Sequence, residues 1–224
     1  KTVRKGEPVR YLVCDAFSKI PYQEVMSYLQ MGYGPEDIYI LAPSLRAGRE
    51  KSPIRRLENR LVEEGIPCFV PVDDNDELGD NVTRGKLVFS TFHQIKGSER
   101  PITIVYNIDE SYFTYYARDV SKVECPNPIY VALSRSLQHM SIIHHYENDY
   151  FPMMDSSKLM KDKLVNYLPL KALAIKNKTE KKKELDCSVT DLIRHLDLDT
   201  ISEIQSKYCL STDNRVHTKL NVPL

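Results

Sequence analysis

Residues 90–99 read STFHQIKGSE and follow directly on the apolar run KLVFST at residues 86–91. A hydroxyl (Thr91), an imidazole (His93), a glycine (Gly97) and a carboxylate (Glu99) therefore fall within one short loop. The loop at the carboxyl end of a parallel strand is where α/β sheets hold their ligands. Gly97 allows close backbone approach. The Glu99 carboxylate can accept hydrogen bonds from a ribose hydroxyl, and Thr91 and His93 can donate to a phosphate or lie against a base. About 36 residues beyond Glu99, the string IYVALSRS (residues 129–136) carries Arg135 just ahead of a second apolar run, MSIIHH. A guanidinium is always charged, and its donor fork matches phosphate oxygens. It suits the charge that spreads over a phosphoryl group in transfer. Taken singly, each segment has a plainer interpretation, as a polar surface loop or a solvated arginine.

The elements that must carry these residues alternate in type. Short apolar runs at residues 9–16 (VRYLVCDA), 38–42 (IYILA), 86–91, 102–108 (ITIVYNI) and 140–145 predict strands, and residues 66–72 predict an extended segment. Between them, residues 22–31 have helical spacing through Val25, Met26 and Leu29, and Gly32 and Gly34-Pro35 end the pattern. Residues 54–64 predict an amphipathic helix with Ile54, Leu57, Leu61 and Val62 on one face, stopped at Gly65. Residues 128–136 also predict helix. Residues 73–80, acidic and glycine-containing, predict an exposed loop. Strands alternating with helices imply a parallel α/β sheet flanked by helices. His144 and His145 are neighbours on one strand, so their side chains point to opposite faces and share no metal. The tyrosines at 112, 115 and 116 could stack on bases, with packing as the favoured expectation.

Lys plus Arg and Asp plus Glu number 31 each. With no global basic field, nucleic-acid contact has to come from a local patch. The five cysteines, Cys14, Cys68, Cys125, Cys187 and Cys209, are widely spaced with no CxxC. That argues against a zinc site or disulfide framework and for a reducing, intracellular compartment, cytoplasm or nucleus, rather than secretion. No run of 18 apolar residues suggests a membrane span. The charged run at 176–184 (KNKTEKKKE) predicts a linker, and Ser188 with Asp191 begins a new helix as a capping box. The expected organisation is a sheet domain over 1–155, a connecting helix and charged linker over 156–187, and a helical appendage or the start of a further domain over 188–224.

Together the segments resemble the second RecA-like motor domain of superfamily 1 (UvrD-like) DNA helicases. STFHQIKGSE resembles motif V, Thr-x-His-x-x-Lys-Gly-x-Glu, and matches it at Thr91, His93, Lys96, Gly97 and Glu99. IYVALSRS resembles motif VI. Residues 38–70 resemble motif IV and its surroundings, with one departure: Pro43 stands where most of the family has an arginine, and Arg46 follows three residues later. The resemblance covers about residues 9–147. It implies the C-terminal motor domain of an ATP-dependent DNA helicase or translocase. Arg135 would reach the γ-phosphate as the catalytic arginine, Gly97, Glu99 and Arg46 would line the nucleotide, and Thr91 and His93 would hold the single strand.

The resemblance also implies what this chain does not supply. There is no G-x-x-x-x-G-K-[ST] loop, since Gly85-Lys86 is followed by Leu87 and precedes a strand. ATP and Mg2+ would be bound mainly by an N-terminal RecA-like domain of the same protein, with no metal ligand in this chain. The opening at Lys1 without Met fits an excised fragment. Only residues 71–86 lie where most of the family inserts a large helical subdomain. The partners implied are single-stranded or duplex DNA and that N-terminal domain, with no membrane. Two other functions fit the same residues: a degenerate helicase-like module that binds nucleic acid or protein without turnover, and an RNA helicase.

Overall fold

A computed structural model describes residues 6–45, 52–71, 79–122 and 124–170. In chain order the elements are β1 (Val9–Cys14), α1 (Ile20–Gln30), a 3-10 turn (Pro35–Asp37), β2 (Ile38–Ala42), α2 (Pro53–Glu63), β3 (Cys68–Phe69) and α3 (Asp80–Thr83). There follow β4 (Leu87–Thr91), β5 (Arg100–Tyr106), α4 (Ser111–Tyr115), α5 (Asn127–Leu133), β6 (Ser136–His145), α6 (Ser156–Leu159) and β7 (Val165–Pro169). The strands form one seven-stranded sheet in the order β3-β4-β2-β5-β6-β1-β7. Every pairing is parallel. This is the α/β architecture, a parallel sheet flanked by helices, that the alternating pattern implies.

Both faces of the sheet are covered, which is why β2 and β4 are buried at every position and read as unbroken apolar runs. Side chains alternate between the faces. One face sends Leu12, Ile40, Phe89 and Ile104 against Val25 and Tyr28 of α1 and Leu57 and Leu61 of α2. The other sends Tyr11, Leu41, Val88 and Val105 against Phe113 of α4 and Ile129 and Ala132 of α5. Each such side chain, fully buried, contributes about 1.5–3 kcal/mol of transfer free energy. Val62 departs from the expected helix face and is 56% exposed. It follows Leu61 directly, so its side chain is turned away from the stripe formed by Ile54, Leu57 and Leu61.

Three further differences have plain physical causes. The stretch expected as a connecting helix begins with the single turn α6 and then delivers β7, which pairs with β1 from Val9↔Val165 to Val13↔Pro169. The sheet therefore runs past residue 155. β7 is an edge strand without a fully buried residue, so its sequence VNYLP carries no apolar run. β5 begins at Arg100 rather than Ile102, which leaves only residues 92–99 to cross from β4. The tyrosines divide, with Tyr112 buried and Tyr116 and Tyr115 exposed, at 37% and 67%, on or beside α4.

No helix among the described residues is long and apolar enough to cross a membrane. The described residues lie within one compact unit, Lys1–Lys171. The charged linker, the Ser188 capping box, Cys187, Cys209, Arg46, and all but Gly79 and Asp80 of the acidic loop at 73–80 lie outside the described residues.

Candidate functional site

The crossover at residues 92–99 leaves the carboxyl end of β4 and arrives at the amino end of β5. Phe92 and Ile95 anchor it; they are 1% and 0% exposed and pack into the core on the α4–α5 face. The Phe92 amide also donates to Ala42 O at the end of β2, at 3.2 Å. With residues 92 and 95 turned inward, His93 between them is exposed and its ring has no hydrogen bond, ion pair or ring contact among the described residues. Thr91 Oγ1 donates to Gln94 Oε1 at 3.1 Å, and the Gln94 amide donates back to Thr91 Oγ1 at 3.3 Å. These two residues form a small closed turn at the mouth of a cleft of about 300 Å³, lined by Pro43, Ser44, Thr91, His93 and Gln94. Thr91 and Gln94 offer an uncharged hydroxyl and amide here, beside the His93 ring, suited to a phosphate or a base edge.

At the other end of the crossover the chemistry is ionic. Gly97 has φ +82° and leads to Glu99, whose side chain is 48% exposed. Arg135 follows α5 in the turn before β6 rather than sitting within the helix. Its Nη1 lies 3.9 Å from Glu99 Oε1. Its Nε donates to Val131 O at 3.0 Å and its Nη2 to Ser134 Oγ at 2.9 Å, so the guanidinium also caps the end of α5. The backbone ties the two together, since the Arg100 amide donates to Arg135 O at 3.2 Å.

Arg100, which the sequence does not single out, holds this edge from inside. It is 8% exposed and its Nη1 donates to Ile38 O at 3.0 Å and Lys86 O at 2.9 Å. The guanidinium lies 4.4 Å from the centre of the Tyr39 ring. Burial pulls its pKa below the usual arginine value. Alternation along β5 sends Arg100 inward and leaves the preceding Glu99 facing outward. Arg10 and Glu24 are a second pair without a sequence signal. The 4%-exposed Glu24 receives both Nε and Nη2 of Arg10, at 2.6 and 2.9 Å, and the Ser141 hydroxyl at 2.6 Å. That network joins β1, α1 and β6 and is structural.

Thus the loop expected at the carboxyl end of one strand is divided between the two ends of the sheet. Thr91 and His93 share the carboxyl end, while Gly97, Glu99 and Arg135 gather toward the amino end, because residues 92–99 are the whole crossover to a parallel strand. His144 and His145 do point to opposite faces. His144 is buried between Tyr11 Oη at 2.6 Å and Asn148 O at 2.9 Å, whereas His145 Nδ1 accepts from the Ala16 amide at 3.2 Å. Burial pushes the Cys14 thiol up to about 12 and the Cys68 thiol up to about 11, so neither offers a thiolate at neutral pH. Among the described residues there is no group of three or more His, Cys, Asp or Glu that could hold a metal ion.

Compared with known proteins, the sequence matches no family model and no curated protein. Among solved structures, the chain is similar to the crystal structure of the C-terminal domain of a possible DNA helicase from Lactobacillus plantarum WCFS1. The identity is 15% and the TM-score 0.46, over 73% of this chain and 87% of that one. With so distant a likeness, what this chain does has to be read from its own residues.

Proposed function

We propose that the chain is the C-terminal motor domain of an ATP-dependent DNA helicase or translocase of the UvrD-like kind. The observation that carries this reading is the crossover itself. One short segment, fixed at Phe92 and Ile95, has a hydroxyl and an exposed imidazole beside a cleft at its start and a carboxylate beside Arg135 at its finish. Thr91 and His93 contact the single strand. Glu99 accepts from the ribose of ATP, Gly97 lets the backbone approach the nucleotide, and Arg135 stabilises charge on the γ-phosphate. Arg46, outside the described residues, is the second arginine of the nucleotide site. Mg2+ and the phosphate-gripping loop belong to the N-terminal RecA-like domain, the partner across the ATP cleft. Closing and opening of that cleft pulls on the crossover and so moves the strand.

A non-catalytic binding module is the second reading. It is favoured by one observation: Arg135 already donates from Nε and Nη2 to Val131 O and Ser134 Oγ. The two readings separate in a phosphate-release assay with single-stranded DNA or RNA as the stimulant. The 224-residue chain alone hydrolyses ATP at background rate, since it lacks the phosphate loop. The protein joining it to the N-terminal motor domain hydrolyses ATP in a strand-stimulated manner, with DNA preferred. No stimulation by either nucleic acid, with binding intact, would leave the binding module. Robust turnover by the chain alone would show the site to be differently built.

A further inference from the structure

Beyond β1, the carboxyl end of the sheet carries a cleft that neither cluster above uses. The turn after β1 and the first turn of α1 supply Phe17, Lys19 and Tyr22, and the facing side of α2 supplies Arg56, Arg60 and Glu63, around a volume of about 450 Å³. The side chains of Lys19, Arg56 and Arg60 form no ion pair or hydrogen bond among the described residues. Arg60 lies over the Tyr22 ring, 4.5 Å from its centre, and its Nε is buried without a partner. Glu63 is the single carboxylate among the lining residues, set against three cations.

This concentration is local, because the whole chain has a net charge of zero. Arg56 and Arg60 are four residues apart on one helix, a spacing at which like charges repel and weaken the helix. The Tyr22 ring accounts for part of Arg60's position, but no carboxylate among the described residues pairs with either arginine, and an anion between them turns the repulsion into shared attraction. The cleft is also continuous with the sheet's ligand-bearing edge. Ala16, Phe17 and Pro53 line it and equally line the smaller cleft, about 160 Å³, that reaches Tyr106 and His145 at the ends of β5 and β6 and Tyr115 on α4.

We propose that this cleft is a second grip on the sugar-phosphate backbone of a single-stranded nucleic acid, with Lys19, Arg56 and Arg60 each taking a phosphate. The cations come from two separate elements, and the two arginines stand one helical turn apart. A row of this kind fits successive phosphates of a strand better than the clustered oxygens of one free nucleotide. The proposal deepens the strand-binding part of the reading above and rests on it for the class of ligand.

The test is fluorescence anisotropy of the full chain with a labelled oligodeoxythymidine across a salt series. The parent is compared with a combined Lys19→Ala/Arg56→Ala/Arg60→Ala variant and, separately, with Thr91→Ala/His93→Ala. Removing three phosphate contacts should weaken binding by about tenfold or more. It should also flatten the slope of log affinity against log salt by about 2. Arg56→Gln alone, at an exposed position, should flatten it by about 0.7 and covers the case in which the triple variant does not fold. Affinity and slope equal to the parent's in the folded variants would overturn the proposal. So would tripolyphosphate binding that the triple variant loses while oligonucleotide binding stays intact, because the cleft would then be a small-anion site. If Thr91→Ala/His93→Ala leaves binding untouched while the triple variant loses it, the assignment at β4 fails and this one stands; the reverse result sinks this one alone.

Discussion

The two ends of the crossover are built on different principles. At the end of β4, Thr91 and Gln94 hydrogen-bond each other through uncharged groups, and His93 is left exposed without a partner among the described residues. Toward the amino end, Glu99 and Arg135 face each other as charges, and Arg100 pins the strand from below through Ile38 O and Lys86 O. An end that offers a hydroxyl, an amide and one exposed ring suits a ligand that must slide, because no single contact there is strong. A charged, backbone-anchored end suits a ligand whose charge must be met at a fixed position, since preorganised donors cost little to reorganise at the moment of reaction. The inward-facing Phe92 and Ile95 make the segment between them a stiff link rather than a flexible loop.

If that division is correct, the largest effect belongs to Arg135. In the two-domain protein, Arg135→Ala should cut strand-stimulated turnover on the order of 10³-fold or more while weakening ATP binding far less. Arg135→Lys should recover little, because an ammonium does not reproduce the planar fork. Single-turnover and steady-state phosphate release give the two quantities separately. The Arg135 side chain is 17% exposed and also caps α5, so a modest loss of stability, about 1 kcal/mol, should accompany the loss of turnover in thermal melting. Near-parental turnover in Arg135→Ala would remove the catalytic assignment at this end and leave the fold untouched.

Arg100→Ala should show the opposite profile. It removes donors from two strand carbonyls and the contact with Tyr39, leaving polar groups that little water can reach. A loss of about 2–3 kcal/mol of stability is expected. Each kcal/mol corresponds to roughly 2–4 °C in melting temperature for a domain of this size. Urea melts of the chain check it. An Arg100→Ala chain with parental stability would mean that the buried guanidinium is not what holds this edge of the sheet.

The contrast between these two arginines also marks how far the sequence could be read. Arg135 stands out because IYVALSRS surrounds it with recognisable neighbours, whereas Arg100 follows Ser-Glu in a polar stretch and reads as surface. Its burial follows only from where β5 begins, two residues before the apolar run does. Central strands were legible because both of their faces are covered; β7 was not, being half-exposed at an edge. Glu24 in the helix string PYQEVM looks solvated, and only its contact with Arg10 and Ser141, from distant strands, explains its burial. The cleft likewise joins Lys19 to the pair Arg56 and Arg60, to which no local spacing relates it. What was legible was local: periodicity, turn residues and a short motif. What was not depends on which segments the sheet order brings side by side.

At the β4 end the effects should be smaller and of another kind. Thr91→Ala and His93→Ala should each weaken strand-stimulated turnover about tenfold, equivalent to roughly 1.4 kcal/mol. ATP affinity in the absence of nucleic acid should be little changed. Titrating oligonucleotide into the ATPase assay and measuring nucleotide binding separately gives both numbers. If ATP affinity falls as much as stimulation does, the two ends are not functionally divided and the comparison fails.

The most finely balanced effect is expected on the way from Ile95 to Glu99, at Gly97. Its φ of +82° lies in the left-handed region, and a Cβ built there would meet nothing within 4 Å. Gly97→Ala therefore adds backbone strain without a steric clash, costing about 1–2 kcal/mol. Gly85, in the turn before β4, has φ +69° and equally open space, so Gly85→Ala imposes a similar strain outside the crossover. Both variants should lose similar stability in urea melts. If the crossover only connects two strands, both should also keep the parent's strand stimulation of ATP hydrolysis. If it transmits position from Glu99 to Thr91, Gly97→Ala alone should lose stimulation, because relaxing toward negative φ rotates the peptide that orients Glu99. Equal stimulation in the two variants, at equal loss of stability, would reduce the crossover to a linker and leave the two ends as independent sites.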